Sequence, residues 1–167
     1  MKSLSEIETT SKRASRAVGF SWGECEEIGK SVRLLELFGL AGIKSLNQYY
    51  NSITDGKFEN LNLISKNNNS GKYPYCPIKL GVGFLDQVRA IEKKKKIKFS
   101  KVSFPLLVLP FLSRSSEIIG KKLFVKFDQV EFLLNLNVNI SSNLIDHKCP
   151  IIANNFEINI VDNKDNF

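Results

Sequence analysis

The alternation of apolar and polar residues is clearest between Phe20 and Leu40, where apolar side chains recur at helical spacing. They form two stripes on different sides of the helix axis: Cys25, Ile28, Val32 and Leu35 on one, and Leu34, Leu37 and Phe38 on the other. Ser21 and Glu24 predict a capping box at the start, and Gly39 predicts a left-handed residue after the end. The pattern predicts a helix from about Trp22 to Phe38, with neighbours on two sides.

Weaker patterns of the same kind predict three further helices. A capping box at Ser5 and Glu8 predicts a first helix that ends near Val18 and forms a helical hairpin with the helix above. Ser45–Asn51 predicts a short helix, and apolar residues at helical spacing predict another from about Leu80 to Glu92.

The last third of the chain has the pattern of strands. Val102–Leu112 is a continuous apolar run that contains Pro105 and Pro110, which indicates a buried strand bent at its prolines. Alternation with a period of two predicts further strands within Leu123–Phe127, Leu134–Ile140 and Phe156–Ile160. The expected fold is α+β, with an N-terminal helical hairpin and one further helix packed on an antiparallel sheet of about four strands.

Length and composition favour one domain over residues 1–167, with a helical part at about 5–92 and a sheet part at about 97–161. The chain has 167 residues, 43% of them hydrophobic, which is enough for one core. The first 18 residues contain six charged side chains and no apolar signal core. Three cysteines, an odd number at wide spacing, favour a reducing compartment. We therefore expect a soluble cytoplasmic protein with no membrane span.

Candidate binding residues lie along one edge of the central helix, between its two apolar stripes. Trp22, Glu26, Gly29 and Arg33 follow one another along that edge, and Lys30 lies one turn from Glu26. Glycine in a helix interior costs about 1 kcal/mol relative to alanine. Gly29 therefore indicates that another backbone or a ligand comes close to the helix here.

Two interpretations of this edge are open. In the first, it is structural: an ion pair beside a tight contact with a neighbouring element. In the second, it forms a partly buried pocket in which Arg33 and Lys30 hold an anionic group and Glu26 acts as acid, base or acceptor. Asp86, on the predicted Leu80–Glu92 helix, either faces such a site or lies on the surface.

The net charge of +7 raises the possibility of nucleic-acid binding. Much of the excess lies in Lys93–Lys96, and a lysine run between a helix and a strand is typical of a solvated turn. The helical hairpin resembles a helix-turn-helix, but its second helix begins with Glu24, Glu26 and Glu27, which would face phosphates with negative charge. DNA binding through the hairpin is therefore a minor alternative, and nucleic acid is an unlikely partner.

The sequence contains no convincing motif for a metal or a cofactor. Asp146, His147 and Cys149 lie within four residues, but neighbours in sequence cannot easily surround one ion. Gly81 and Gly83 lack the continuation of a phosphate-binding loop. We expect neither a metal nor a cofactor, and the question of enzymatic activity stays open.

The string SWGxxEExGKxxR, from Ser21 to Arg33, resembles the opening of a bacterial family of unknown function that is common in marine proteobacteria. Cys76-Pro77, Asp86 and the segment 105–111 are similar to later parts of that family, so the resemblance covers about residues 3 to 127. The chain departs from the pattern at Cys25. The resemblance implies no known activity.

These observations lead to one functional hypothesis and one alternative. We expect the edge formed by Trp22, Glu26, Lys30 and Arg33 to bind a small anionic metabolite or a protein partner. The alternative is a structural or accessory subunit of a homo-oligomer or hetero-oligomer, in which the same edge is an interface and the chain has no site of its own.

Overall fold

The computed structural model describes residues 2–53, 56–144 and 149–161. The chain divides into two compact units, Met1–Gly56 and Lys57–Phe167. The first contains helices α1 (Leu4–Ala17), α2 (Trp22–Leu37) and α3 (Gly42–Ile53). This division groups the helix predicted at Leu80–Glu92 with the sheet and not with the N-terminal helices. The prediction of a single domain stays a prediction.

The caps of the first two helices show which local signals were reliable. The capping box of α2 is confirmed: the Ser21 hydroxyl accepts from the Glu24 amide at 3.2 Å, and the Glu24 carboxylate accepts from the Ser21 amide at 3.2 Å. The box predicted at Ser5 and Glu8 is wrong, because Ser3 caps α1 by accepting from the Glu6 amide at 3.2 Å. The Glu8 side chain instead reaches α2.

The second unit combines two helices with a six-stranded sheet, so the α+β class is confirmed with two more strands than expected. The sheet has the order β1-β2-β6-β3-β4-β5, in which only the β1–β2 pair is parallel within the described residues. Its elements are β1 (Asn67–Asn68), α4 (Pro77–Ile91), β2 (Lys96–Ser103), α5 (Leu109–Ile119), β3 (Lys122–Phe127), β4 (Val130–Asn135), β5 (Asn139–Ser142) and β6 (Ile152–Val161).

The strand predicted over Val102–Leu112 is wrong. Strand β2 ends at Ser103, a 3₁₀ turn covers Pro105–Val108, and α5 begins at Leu109. Both prolines occupy the first turn of a helical segment, where the missing amide hydrogen is not needed. The run is continuously apolar because it is buried, and a buried helix and a buried strand share that pattern.

The strand predicted through Leu134–Ile140 is interrupted by a turn. Leu136 and Asn137 have positive φ angles of 53° and 63°. Serines of α5 hold this turn: the Ser116 hydroxyl accepts from the Leu136 amide at 3.0 Å, and the Ser113 hydroxyl donates to the Asn137 side-chain oxygen at 2.6 Å. The apolar alternation in the sequence therefore runs through a turn between β4 and β5, and side chains distant in sequence stabilise that turn.

One face of the sheet is buried and the other is open to solvent. Aromatic rings form a row across the buried face, with ring-centroid distances of 6.1 Å for Phe99–Phe156, 5.4 Å for Phe156–Phe127 and 5.6 Å for Phe127–Phe132. Helices α4 and α5 pack against each other, and Phe111 of α5 lies directly over Gly81 of α4. Alternate residues of β2 and β3 therefore point away from this core.

Candidate functional site

Gly29 lies where α1 crosses α2. A Cβ atom added at Gly29 would be 2.7 Å from the Lys12 Cγ and 3.0 Å from the Glu8 carbonyl oxygen. Both distances are shorter than ordinary van der Waals contacts. The close approach that Gly29 indicated is therefore present, and α1 of the same chain makes it.

The charged residues of the predicted edge form ion pairs with α1. The Glu26 carboxylate lies 2.9 Å from the Lys12 ammonium, and the Arg33 guanidinium lies 3.1 Å from the Glu8 carboxylate. Lys12 also lies 3.9 Å from Glu8. Two ion pairs therefore join α2 to α1, one on each side of Gly29.

The Lys12–Glu26 pair shifts the pKa values of both groups in the direction that favours their charged forms. The hydrogen bond from Lys12 lowers the pKa of Glu26 below its ordinary value, and Lys30 adds a smaller effect in the same direction. The same hydrogen bond raises the pKa of Lys12. Glu26 is therefore a carboxylate at neutral pH, which suits it to holding Lys12 in place better than to donating a proton.

Trp22 lies at the start of α2 with 70% of its surface exposed. The guanidinium carbon of Arg16 is 4.6 Å from the centre of the Trp22 ring, and an Arg16 nitrogen donates to the Phe20 carbonyl oxygen at 2.9 Å. These two contacts orient Arg16 beside the ring. An open groove of about 360 Å³ lies here, lined by Lys12, Arg13, Arg16, Ala17 and Trp22.

The structure places the residues of the predicted site in different surroundings. Trp22 lines the groove, whereas Glu26 and Arg33 are engaged in the ion pairs with α1, and Lys30 lies exposed on α2. Asp86 is exposed on α4 of the second unit.

The sequence interpretation missed three basic residues of α1 that line the groove, Lys12, Arg13 and Arg16. Their clustering on one helix is visible in the sequence. Their position beside Trp22 is not, because it depends on how the two helices cross.

Replacing Gly29 tests the helix crossing. We expect Gly29→Ala to lower the free energy of unfolding by about 1–2 kcal/mol, because the new methyl group overlaps Lys12 and the Glu8 backbone. Gly23→Ala in the same helix meets no atom within 4 Å and is expected to raise stability by up to about 1 kcal/mol. Urea unfolding of the two variants measures the difference. Equal stability changes in both would show that α1 does not approach Gly29 this closely.

The described residues offer no metal site and no activated cysteine at Cys149. They contain no group of three histidine, cysteine, aspartate or glutamate residues placed to hold a metal ion, and the Asp146 and His147 considered above lie outside them. Burial raises the pKa of the Cys149 thiol to about 11, so this thiol is protonated at neutral pH. Of the helices described, none has the length and apolar character needed to cross a membrane.

Comparison with known proteins gives one match. No curated protein and no solved structure matches the chain. Residues 2–76, which include all three helices of the first unit, match the model of a family described as "Protein of unknown function (DUF3726)". The later segments at Cys76-Pro77, Asp86 and 105–111 extend beyond this match. Over residues 2–76 the chain is thus similar to an uncharacterised family, as its sequence predicted.

Proposed function

We propose that the protein binds a small anionic metabolite in the groove between α1 and the start of α2. The observation that carries this proposal is the exposed Trp22 ring beside the oriented guanidinium of Arg16, in a groove that Lys12 and Arg13 also line. An apolar wall with a few convergent charged donors is typical of small-molecule sites. An arginine favours carboxylates and phosphates, because its forked nitrogen donors can bind two oxygens of one anion together.

The residues of the groove have different proposed roles. Arg16 is held by the Phe20 carbonyl oxygen and by Trp22, so little side-chain freedom is lost when it binds an anion. Lys12 is held by Glu26 and Glu8, which offset part of its charge. Glu26 and Arg33 then support the site from behind by fixing α1, in place of the direct contacts expected from the sequence.

The position of Trp22 supplies a direct assay, because it is the only tryptophan of the chain. We would titrate the protein with carboxylates, phosphates, nucleotides and coenzyme A esters, following Trp22 fluorescence and thermal unfolding. A ligand at one hundred times its dissociation constant stabilises the folded protein by about 2.7 kcal/mol. We expect a hit to change the fluorescence and raise the melting temperature together.

Arg13→Gln is the variant that tests the groove, since Arg13 lines it and carries none of the ion pairs described above. Lys44→Gln removes one exposed positive charge from α3 of the same unit and is the matched control. We expect Arg13→Gln to weaken binding about tenfold, which corresponds to about 1.4 kcal/mol. Equal affinities of both variants would place the ligand elsewhere.

The alternative, a structural or accessory subunit, has its own supporting observation. Trp22 and Leu37 are large apolar side chains of α2 with 70% and 61% of their surface exposed. Light scattering on wild type and Trp22→Ala distinguishes the two functions. If Trp22 lies in a subunit interface, its replacement changes the oligomeric state, whereas loss of a ligand contact leaves that state unchanged. We also propose a cytoplasmic location, because three cysteines, an odd number at wide spacing, are not typical of a disulfide-stabilised secreted protein.

A further inference from the structure

The solvent face of the sheet carries lysines from two strands. Buried residues alternate with exposed ones along β2 and β3, so Lys96, Lys98, Lys122 and Lys126 lie on the same side. Strand β6 lies between β2 and β3, and its Glu157 pairs in register with both Lys98 and Lys126. Residues distant in sequence are thus brought together on one surface.

The lysine run predicted to be a solvated turn extends this surface. The Lys95 carbonyl oxygen accepts from the Ile160 amide at 2.7 Å, which fixes the run at the end of β6. A cavity of about 240 Å³ opens there, lined by Glu92, Lys93, Lys95, Lys121 and Ile160. The run therefore lies next to the start of β3, a proximity that no local pattern predicts.

Positive charge dominates the combined surface, which we call the lysine face. It consists of Lys96 and Lys98 of β2, Lys122 and Lys126 of β3, and the three lysines that line the cavity at its end, Lys93, Lys95 and Lys121. Its acidic residues are Glu92, which lines the cavity, and Glu131 and Glu157, which both pair in register with Lys126. Glu157 lies 2.8 Å from Lys96, and Glu92 lies 3.8 Å from Lys121. The glutamates therefore offset less than half of the positive charge.

We infer that the lysine face binds single-stranded nucleic acid. From Lys121 to Lys126 it extends over about 17 Å at roughly 3.3 Å per residue, which is longer than one phosphate group needs. Phe124 is half-buried on this face between Lys122 and Lys126. A basic track with an aromatic ring among its charges matches how proteins hold single strands, by phosphate contacts and base stacking.

Fluorescence anisotropy with a labelled oligothymidylate tests this inference on the full chain at several salt concentrations. The test variant neutralises three lysines of the face, Lys96→Gln, Lys98→Gln and Lys126→Gln. Each lost phosphate contact should reduce the slope of log K against log salt by about 0.7, so the slope should fall by about 2. The affinity should fall at least tenfold at low salt. Thermal unfolding checks that the variant is folded.

The matched control removes the same charge elsewhere, with Lys44→Gln, Lys72→Gln and Lys79→Gln. A second variant, Phe124→Leu, keeps an apolar side chain without the ring and should weaken binding about fivefold or more with an unchanged salt slope. Equal losses in both triple variants would show attraction to net charge alone and overturn the inference. So would the absence of binding, or equal competition by an acidic polypeptide.

Discussion

Gly81→Ala should destabilise the second unit by about 2 kcal/mol, against the usual preference of helices for alanine. A Cβ atom at Gly81 would lie 2.3, 2.7 and 2.9 Å from three carbons of the Phe111 ring. Phe111 is fully buried, so the ring cannot turn away without disturbing the core. The midpoint of urea unfolding, followed by circular dichroism, measures the loss.

Gly83→Ala, two residues along the same helix, is the control for Gly81→Ala. The nearest atoms to a Cβ atom at Gly83 are 3.6 and 3.7 Å away, which is ordinary contact, so this variant should be as stable as wild type or more so. Combining Gly81→Ala with Phe111→Leu removes the ring that the methyl group meets. The double variant should then lose less stability than the two single variants together. Simple additivity would contradict the contact.

The success of the sequence at α2 has a local cause. Ser21, Glu24 and Gly39 act within one helical turn of each end, so their signal is independent of the rest of the fold. The predicted strand at Val102–Leu112 failed because burial, and not secondary structure, makes that run apolar. The turn at Leu136 was missed because its stabilising partner, Ser116, lies 20 residues away.

The candidate site shows the same limit. Helical periodicity placed Trp22, Glu26 and Arg33 on one edge, and Gly29 indicated a close neighbour. The sequence pattern could not identify that neighbour as α1. It therefore could not show that Glu26 forms an ion pair with Lys12, and Arg33 with Glu8. Only the crossing of α1 and α2 in the structure shows that Arg13 and Arg16 line a groove beside Trp22. Local sequence therefore located the region, and the tertiary contacts decided which side chains in it face solvent.

The two proposed sites also differ in kind. The groove beside Trp22 has one oriented arginine and an aromatic wall, which suits a small ligand. The lysine face has several long ammonium side chains over an extended surface, and these suit a repeating polyanion. Salt dependence separates them, because a site that meets one or two charges has a shallow slope and a strand that meets several phosphates has a steep one.

Phe156→Ala should cause the largest loss of stability, about 3–5 kcal/mol, because a fully buried ring is removed from a packed core. Phe156 is 1% exposed, and its ring lies 5.4 Å from Phe127 in a stacked arrangement and 6.1 Å from Phe99 at a steep angle. A domain has only about 5–15 kcal/mol of stability, so this single change removes a large fraction of it.

The stacking of Phe156 can be measured apart from its burial. Phe156→Leu keeps an apolar side chain and should lose less stability than Phe156→Ala. Combined with Phe127→Leu it completes a double-mutant cycle, in which we expect a coupling of about 0.5–1.5 kcal/mol from the ring pair. Phe124→Leu on the solvent face serves as the control, since it should change stability little. If Phe156→Ala cost no more than Phe124→Leu, the row of rings would not be the centre of this core.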